Sequence, residues 1–172
     1  MLKFKVMILP FSTEYKDGTP TKFIEKIWLG ILQHIPETTG LNHFEELYFE
    51  KFGQYWHGAS DCTLIPKLHT IREDIHDRWH EGSLIHPVVF NRSKNQFQFA
   101  PTLVCKLVQE IEITHWHGID GYRTVLVGDR ILNETEIEVL AKNDGFNSVV
   151  DFFDWFSHDY TGKIIHWTNH KY

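Results

Sequence analysis

A chain of 172 residues that is 42% hydrophobic and 15% aromatic lies well away from the disordered class and is long enough to bury roughly two-thirds of its unfolded surface. Its formal charge of -6 argues against broad, salt-driven coating of DNA, which needs a field of the other sign. Two cysteines, Cys62 and Cys105, without C-x-x-C spacing, leave neither a disulfide framework nor a cysteine-rich zinc site, and they favour a reducing cytoplasm. The charge is unevenly spread. Residues 66–106 carry six Lys/Arg against four acids, whereas residues 129–159 carry eight acids against Arg130 and Lys142.

In chain order, residues 2–9 (LKFKVMIL) suit a strand entering a core, and their lysines and short apolar run fit neither a leader peptide nor a membrane span. A soluble chain with no membrane partner is therefore expected. Thr19 with Pro20 reads as a cap and first position for a helix whose apolar residues recur from Phe23 to Ile35, ending at Pro36. Asn42 and Glu45 resemble a capping box for a second helix that Gly53 ends, and residues 53–66 read as loop. From Lys67 to Leu132 the pattern turns to strands, which would curl into a small barrel. Asn133 with Glu136 opens a third helix with Gly145 at its C-terminal cap, Ser148 opens a fourth, and residues 162–168 form a closing strand. No repeat or linker divides the chain.

Residues 66–74, PKLHTIRED, crowd a lysine, a histidine and a threonine between Ile65 and Ile71, with an arginine directly after. As a strand the segment sends Lys67, His69 and Ile71 to one face and Leu68, Thr70 and Arg72 to the other. As a tight turn it brings residues three apart to one pocket.

Several pieces, in this order, resemble the ASCH family of PUA-like β-barrels: FIEKIWLG, the K-x-x-T-I-R segment of Lys67, Thr70, Ile71 and Arg72, the Gly82-Ser83-Leu84-Ile85 turn into a strand, and D-G-F-x-S at Asp144 to Ser148. The resemblance implies an α+β fold: one PUA-like barrel of about five to seven strands with about four surrounding helices, a single domain over 1–172 with a helical insertion at about 31–65. It also implies binding of RNA or of a nucleobase-containing small molecule in a cleft beside residues 67–72, with Lys67, His69, Thr70, Arg72 and Trp79 as ligand-binding residues and no cofactor. Some similar proteins hydrolyse an acetylated cytidine, and the corresponding positions here are Lys67, Thr70 and, on or beside the glutamate, Asp144. In that alternative a desolvated Lys67 takes the Thr70 proton while Asp144 relays it or holds the leaving amine. A second alternative is a protein-interaction module presenting the acidic helices of residues 133–159.

Twelve histidines raise the question of a metal. His76 with His80, and His115 with His117, have paired spacing, yet no third ligand can be placed and no H-E-x-x-H occurs, so no metal is expected. P-loop, Rossmann and G-x-S-x-G signatures are missing as well.

Overall fold

The structure is a computed structural model that describes residues 6–56, 63–116, 118 and 121–172. The segment 1–5, Cys62 and His117 lie outside the described residues, so the first half of the expected N-terminal strand and one histidine of the THWH pair are not addressed further. The described elements are β1 (Val6–Pro10), α1 (Phe23–His34), α2 (Leu41–Phe52), β2 (His69–Arg72), β3 (Leu84–Val89), β4 (Phe97–Gln98), β5 (Leu103–Val104), β6 (Leu107–His115), β7 (Arg123–Val127), β8 (Arg130–Ile131), α3 (Glu134–Asn143), α4 (Val149–Trp155) and β9 (Tyr160–His166). The class is α+β with four helices, as expected. The nine strands exceed the expected five to seven because two-residue pieces, β4, β5 and β8, break off from longer apolar runs.

The strands do not close into one barrel. They form two open sheets, one with β1 parallel to β3 and with β4 and β5 on β3, the other in the order β2-β9-β6-β7-β8. The passage from β5 to β6, one of three between the sheets, takes a single peptide, where Cys105 N–H donates to Ser83 O (2.8 Å) and Lys106 N–H to His166 O (2.8 Å). Closure through β2 is blocked because its outer edge is occupied by the α3–α4 turn: Leu68 N–H donates to Asn143 at 2.8 Å. β9 lies between two cores. Ile165 and the following Trp167 join Trp28, Phe99 and Leu9 on one side, and Ile164 joins Phe146, Phe152 and Ile113 on the other. A strand buried on both faces reads as a continuous apolar run, which is what KIIHW shows.

Helix starts divide by mechanism. Asn133 and Glu136 form the expected reciprocal box (3.0 and 2.9 Å), and Ser148 caps α4 through Asp151 N–H. The expected Thr19–Pro20 start is incorrect. Tyr15 N–H bonds to Thr19 O and Pro20 bridges to Glu14, drawing both residues into a hairpin-like turn, and α1 begins only after Lys22. The Asn42 box is incorrect too, since α2 begins at Leu41 behind Gly40 at φ 85°, which puts the cap two residues earlier and Asn42 inside the helix. Gly53 does end α2, at φ 67° with its N–H on Phe49 O.

Gly30 fixes the approach of α1 to the 67–72 segment. A Cβ there would stand 2.5 Å from the Lys67 carbonyl oxygen, a backbone atom that cannot swing aside. Alanine would favour the helix by about 0.5–1 kcal/mol, but overpacking costs about 1–3 kcal/mol and wins. Gly30→Ala is therefore expected to lower the urea midpoint with an unchanged denaturant slope.

Candidate functional site

The segment after Pro66 is held from both sides. Lys67 N–H donates to Lys26 O of α1 (2.9 Å), and Leu68 N–H to Asn143 O of α3. From this position the Lys67 side chain runs inward until it is 1% exposed. Its ammonium lies 2.6 Å from Asp144 Oδ1, donates also to the Asp144 carbonyl oxygen, and sits 4.7 Å from the centre of the Phe23 ring. The Asp144 carboxylate accepts the Ile71 backbone N–H as well, so it caps the free edge of β2. Gly145 follows at φ 90°, and a Cβ on it would meet the Lys67 and Phe23 side chains at 3.0–3.2 Å. The D-G pair in D-G-F-x-S thus serves two needs, a carboxylate for Lys67 and a bare α-carbon beside it.

Burial governs the protonation of this cluster. Desolvation pulls the Lys67 ammonium down to about 8 against the pull of Asp144 in the other direction, and it raises the Asp144 carboxyl against the pull of Lys67. Lys26 also lies buried in α1, its ammonium on Gly145 O (2.6 Å) and Asn147 Oδ1 (2.9 Å), and desolvation brings it to about 8. His69 is fully buried, 3.7 Å from Asp144 through Nδ1 and 2.7 Å from the Tyr172 hydroxyl through Nε2. Its imidazole is held well below the ordinary histidine value by burial, then by His166 and Lys67.

Lys67, His69 and Asp144 are therefore brought together. Thr70 is not part of the group: it alternates with His69 and Ile71 along β2, is buried, and among the described residues makes no hydrogen bond to Lys67 or Asp144. Comparison of the chain with family models, with curated proteins and with solved structures returns no match. The site must be read from its own geometry.

That geometry opens at Arg72. Its guanidinium donates to Ile71 O (3.0 Å) and to Pro10 O of β1 (2.7 Å) and stacks 5.2 Å from the Phe11 ring centre. It borders two cavities. One, of about 270 Å3, also touches Ile71, Trp155, His158 and Tyr160. The other, of about 610 Å3, runs along β1 and is lined by Arg72, Arg78, Trp79, Asn91, Arg92 and Gln96. Asp74 holds the segment that supplies Arg78 and Trp79, accepting the backbone N–H of Arg78 (2.8 Å) and Trp79 (2.9 Å). The NRSKN turn after β3 supplies Asn91, Arg92 and Gln96, with Arg92 in the left-handed region at φ 60° and its N–H on Gln96 Oε1 (3.2 Å).

Of the five expected ligand-binding residues, Arg72 and Trp79 line a cavity, while Lys67, His69 and Thr70 are buried. Trp79 is 5% exposed, so it supports the groove more than it offers a stacking face. The groove's Arg78, Arg92, Asn91 and Gln96 went unnoticed because a turn such as NRSKN carries no pattern showing what it faces. Lys26 and His166 were missed also; the one signal for Lys26 is a lysine amid the apolar residues of FIEKIWLG. His76 and His80 lie in a turn and coil, not on a helix, and among the described residues no group of three or more His, Cys, Asp or Glu is placed to hold a metal ion. No helix among them is long and apolar enough to cross a membrane.

Proposed function

We propose that the chain binds RNA or another nucleobase-containing ligand in the groove of Arg72, Arg78 and Arg92, in the manner of a PUA-like, ASCH-type domain. The observation that carries this reading is the lining: three guanidiniums, which pair with phosphate in bidentate fashion, against one carboxylate, Glu73, and beside two amides, Asn91 and Gln96, able to donate to and accept from a base edge. A volume of about 610 Å3 suits a nucleotide-sized ligand, within the roughly 300–1,000 Å3 typical of such clefts.

Because Arg72 already serves two carbonyls and Arg78 faces Asp74 at 3.5 Å, few phosphates can be neutralised. A fluorescein-labelled single-stranded RNA octamer should therefore bind with a shallow salt dependence, releasing about three ions or fewer. Arg78→Gln with Arg92→Gln, both on the surface, should weaken it by tenfold or more without altering stability. No binding, or an affinity untouched by the double substitution, would refute the assignment.

The alternative, hydrolysis of an acylated cytidine, is favoured by one observation, a lysine brought to about 8 in contact with a buried carboxylate. Against it stands the Thr70 hydroxyl, which among the described residues makes no hydrogen bond to either member of that pair. Turnover of acetylated cytidine by wild type, abolished in Thr70→Val and partly kept in Thr70→Ser, would establish it over simple binding.

A further inference from the structure

A larger groove, of about 720 Å3, runs between the β7–β8 hairpin and helices α3 and α4. Its walls hold large apolar side chains that face outward: Tyr122 is 52% exposed, Ile131 64% and Val150 68%. Its carboxylates are Glu134, Glu138 and Asp154. Glu138 is paired with Lys142 at 2.6 Å, but among the described residues the Glu134 and Asp154 carboxylates have no cationic partner. Arg123, also in the lining, is already engaged, stacked 4.8 Å from the Phe153 ring centre and donating to His115 Nδ1. We propose that this groove docks a short, basic, amphipathic segment of another protein, its apolar side chains against Ile131, Val150 and Tyr122 and its Lys/Arg residues on Glu134 and Asp154.

Charge selects this occupant. Residues 129–159, which supply most of the groove, carry eight acids against two basic residues. A nucleic acid is repelled by that field. A second copy docked face to face would bring the same acidic patch against itself, because a two-fold interface uses one patch on both subunits. A neutral apolar ligand leaves the two unpaired carboxylates unused. A peptide with apolar anchors and basic flanks answers both features, as helix-in-groove recognition does elsewhere. This site is separate from the arginine groove and does not depend on what binds there.

The test uses the full chain and two fluorescein-labelled twelve-residue peptides, LKKLLKLLKKLL and its glutamate counterpart LEELLELLEELL, followed by anisotropy. The lysine peptide is expected to bind at least tenfold tighter than the glutamate peptide, less so in raised salt. Ile131→Ser with Val150→Ser, both at exposed positions, should weaken the lysine peptide by tenfold or more. Glu134→Gln with Asp154→Asn should weaken it about fivefold and flatten its salt dependence, with circular dichroism unchanged in both variants. The proposal is overturned if the lysine peptide does not bind at millimolar concentration or if the two peptides bind alike. It is overturned equally if the serine variant keeps wild-type affinity, which would leave only diffuse attraction to acid. Sedimentation showing a wild-type dimer that the serine variant abolishes would make the occupant a second copy instead.

Discussion

Asp144→Ala is expected to destabilise the protein by about 3–5 kcal/mol, since removing one member of a buried ion pair leaves the other charge uncompensated. Lys67 would remain 1% exposed, with the Asp144 backbone carbonyl as its remaining acceptor. The sign of the accompanying pH effect follows. Lys67 already sits near 8 in the fold, below its unfolded value near 10.4, and loss of the carboxylate lowers it further. The unfolded chain then holds more protons, so the variant's stability rises with pH across that window. Part of the deficit should be recovered between pH 7 and 9. Lys67→Met in the Asp144→Ala background should recover more, because methionine fills the space against Phe23 and no charge is left to strand. Urea unfolding of the four proteins in this cycle at both pH values measures all of it.

The second large effect is acid lability. His166 is fully buried, neither ring nitrogen has a hydrogen-bond partner among the described residues, and desolvation brings it from 6.5 to about 4. His69, 5.1 Å away ring to ring, shifts the same way. A group depressed in the fold contributes stability that is fully present above its unfolded value and lost as pH falls through the folded one. His166 alone should therefore cost up to about 3 kcal/mol between pH 6.5 and pH 4, with His69 adding to it. His166→Leu is expected to be neutral or stabilising at pH 7, because no bond is lost, and to flatten the decline below pH 6.5. An equal slope in wild type and variant would mean that the acid transition belongs to other groups.

How much of this was legible depended on whether the cause is local. The Asn133–Glu136 box, the Ser148 cap and the stops at Gly53 and Gly145 each rest on residues within a turn of one another, and each was readable from spacing. Thr19–Pro20 has equally good local credentials, but a hairpin-like turn reaching back to Glu14 claims both residues, a competition that spacing does not reveal. Strand type was readable in the apolar runs; the division into two sheets was not, since β2 joins a different sheet from β1 and β3 on either side of it, and β5 passes to β6 across one peptide at Cys105–Lys106. Within the site, Lys67 and Asp144 were suggested together only by resemblance, as 77 positions separate them. Thr70 was grouped with them by the same resemblance, through the K-x-x-T segment, and alternation along β2 turns it from the face that His69 shares with Lys67. The groove arginines come from three separate segments, and no pattern in any one of them shows that they meet.

The contacts of Lys67 with α1 also give the chain a detour. It leaves α1 just beyond Gly30 and returns to touch the same turn of that helix, with Lys67 N–H on Lys26 O and Gly30 against the Lys67 carbonyl. The start and finish of residues 31–66 are thus spatial neighbours, and the length of the path between them is almost unconstrained: doubling a flexible loop costs only about 0.6 kcal/mol. Lengthening the detour beyond Gly53 should be tolerated for that reason. Excising it should not, because Tyr48 and Trp56 roof over Trp28, their ring centres 5.1 and 5.3 Å from its own, and with them in place Trp28 is 0% exposed. The excursion is free in its length and fixed in its landing, and relatives of this chain would be expected to differ most in how far they travel between the glycine and the lysine.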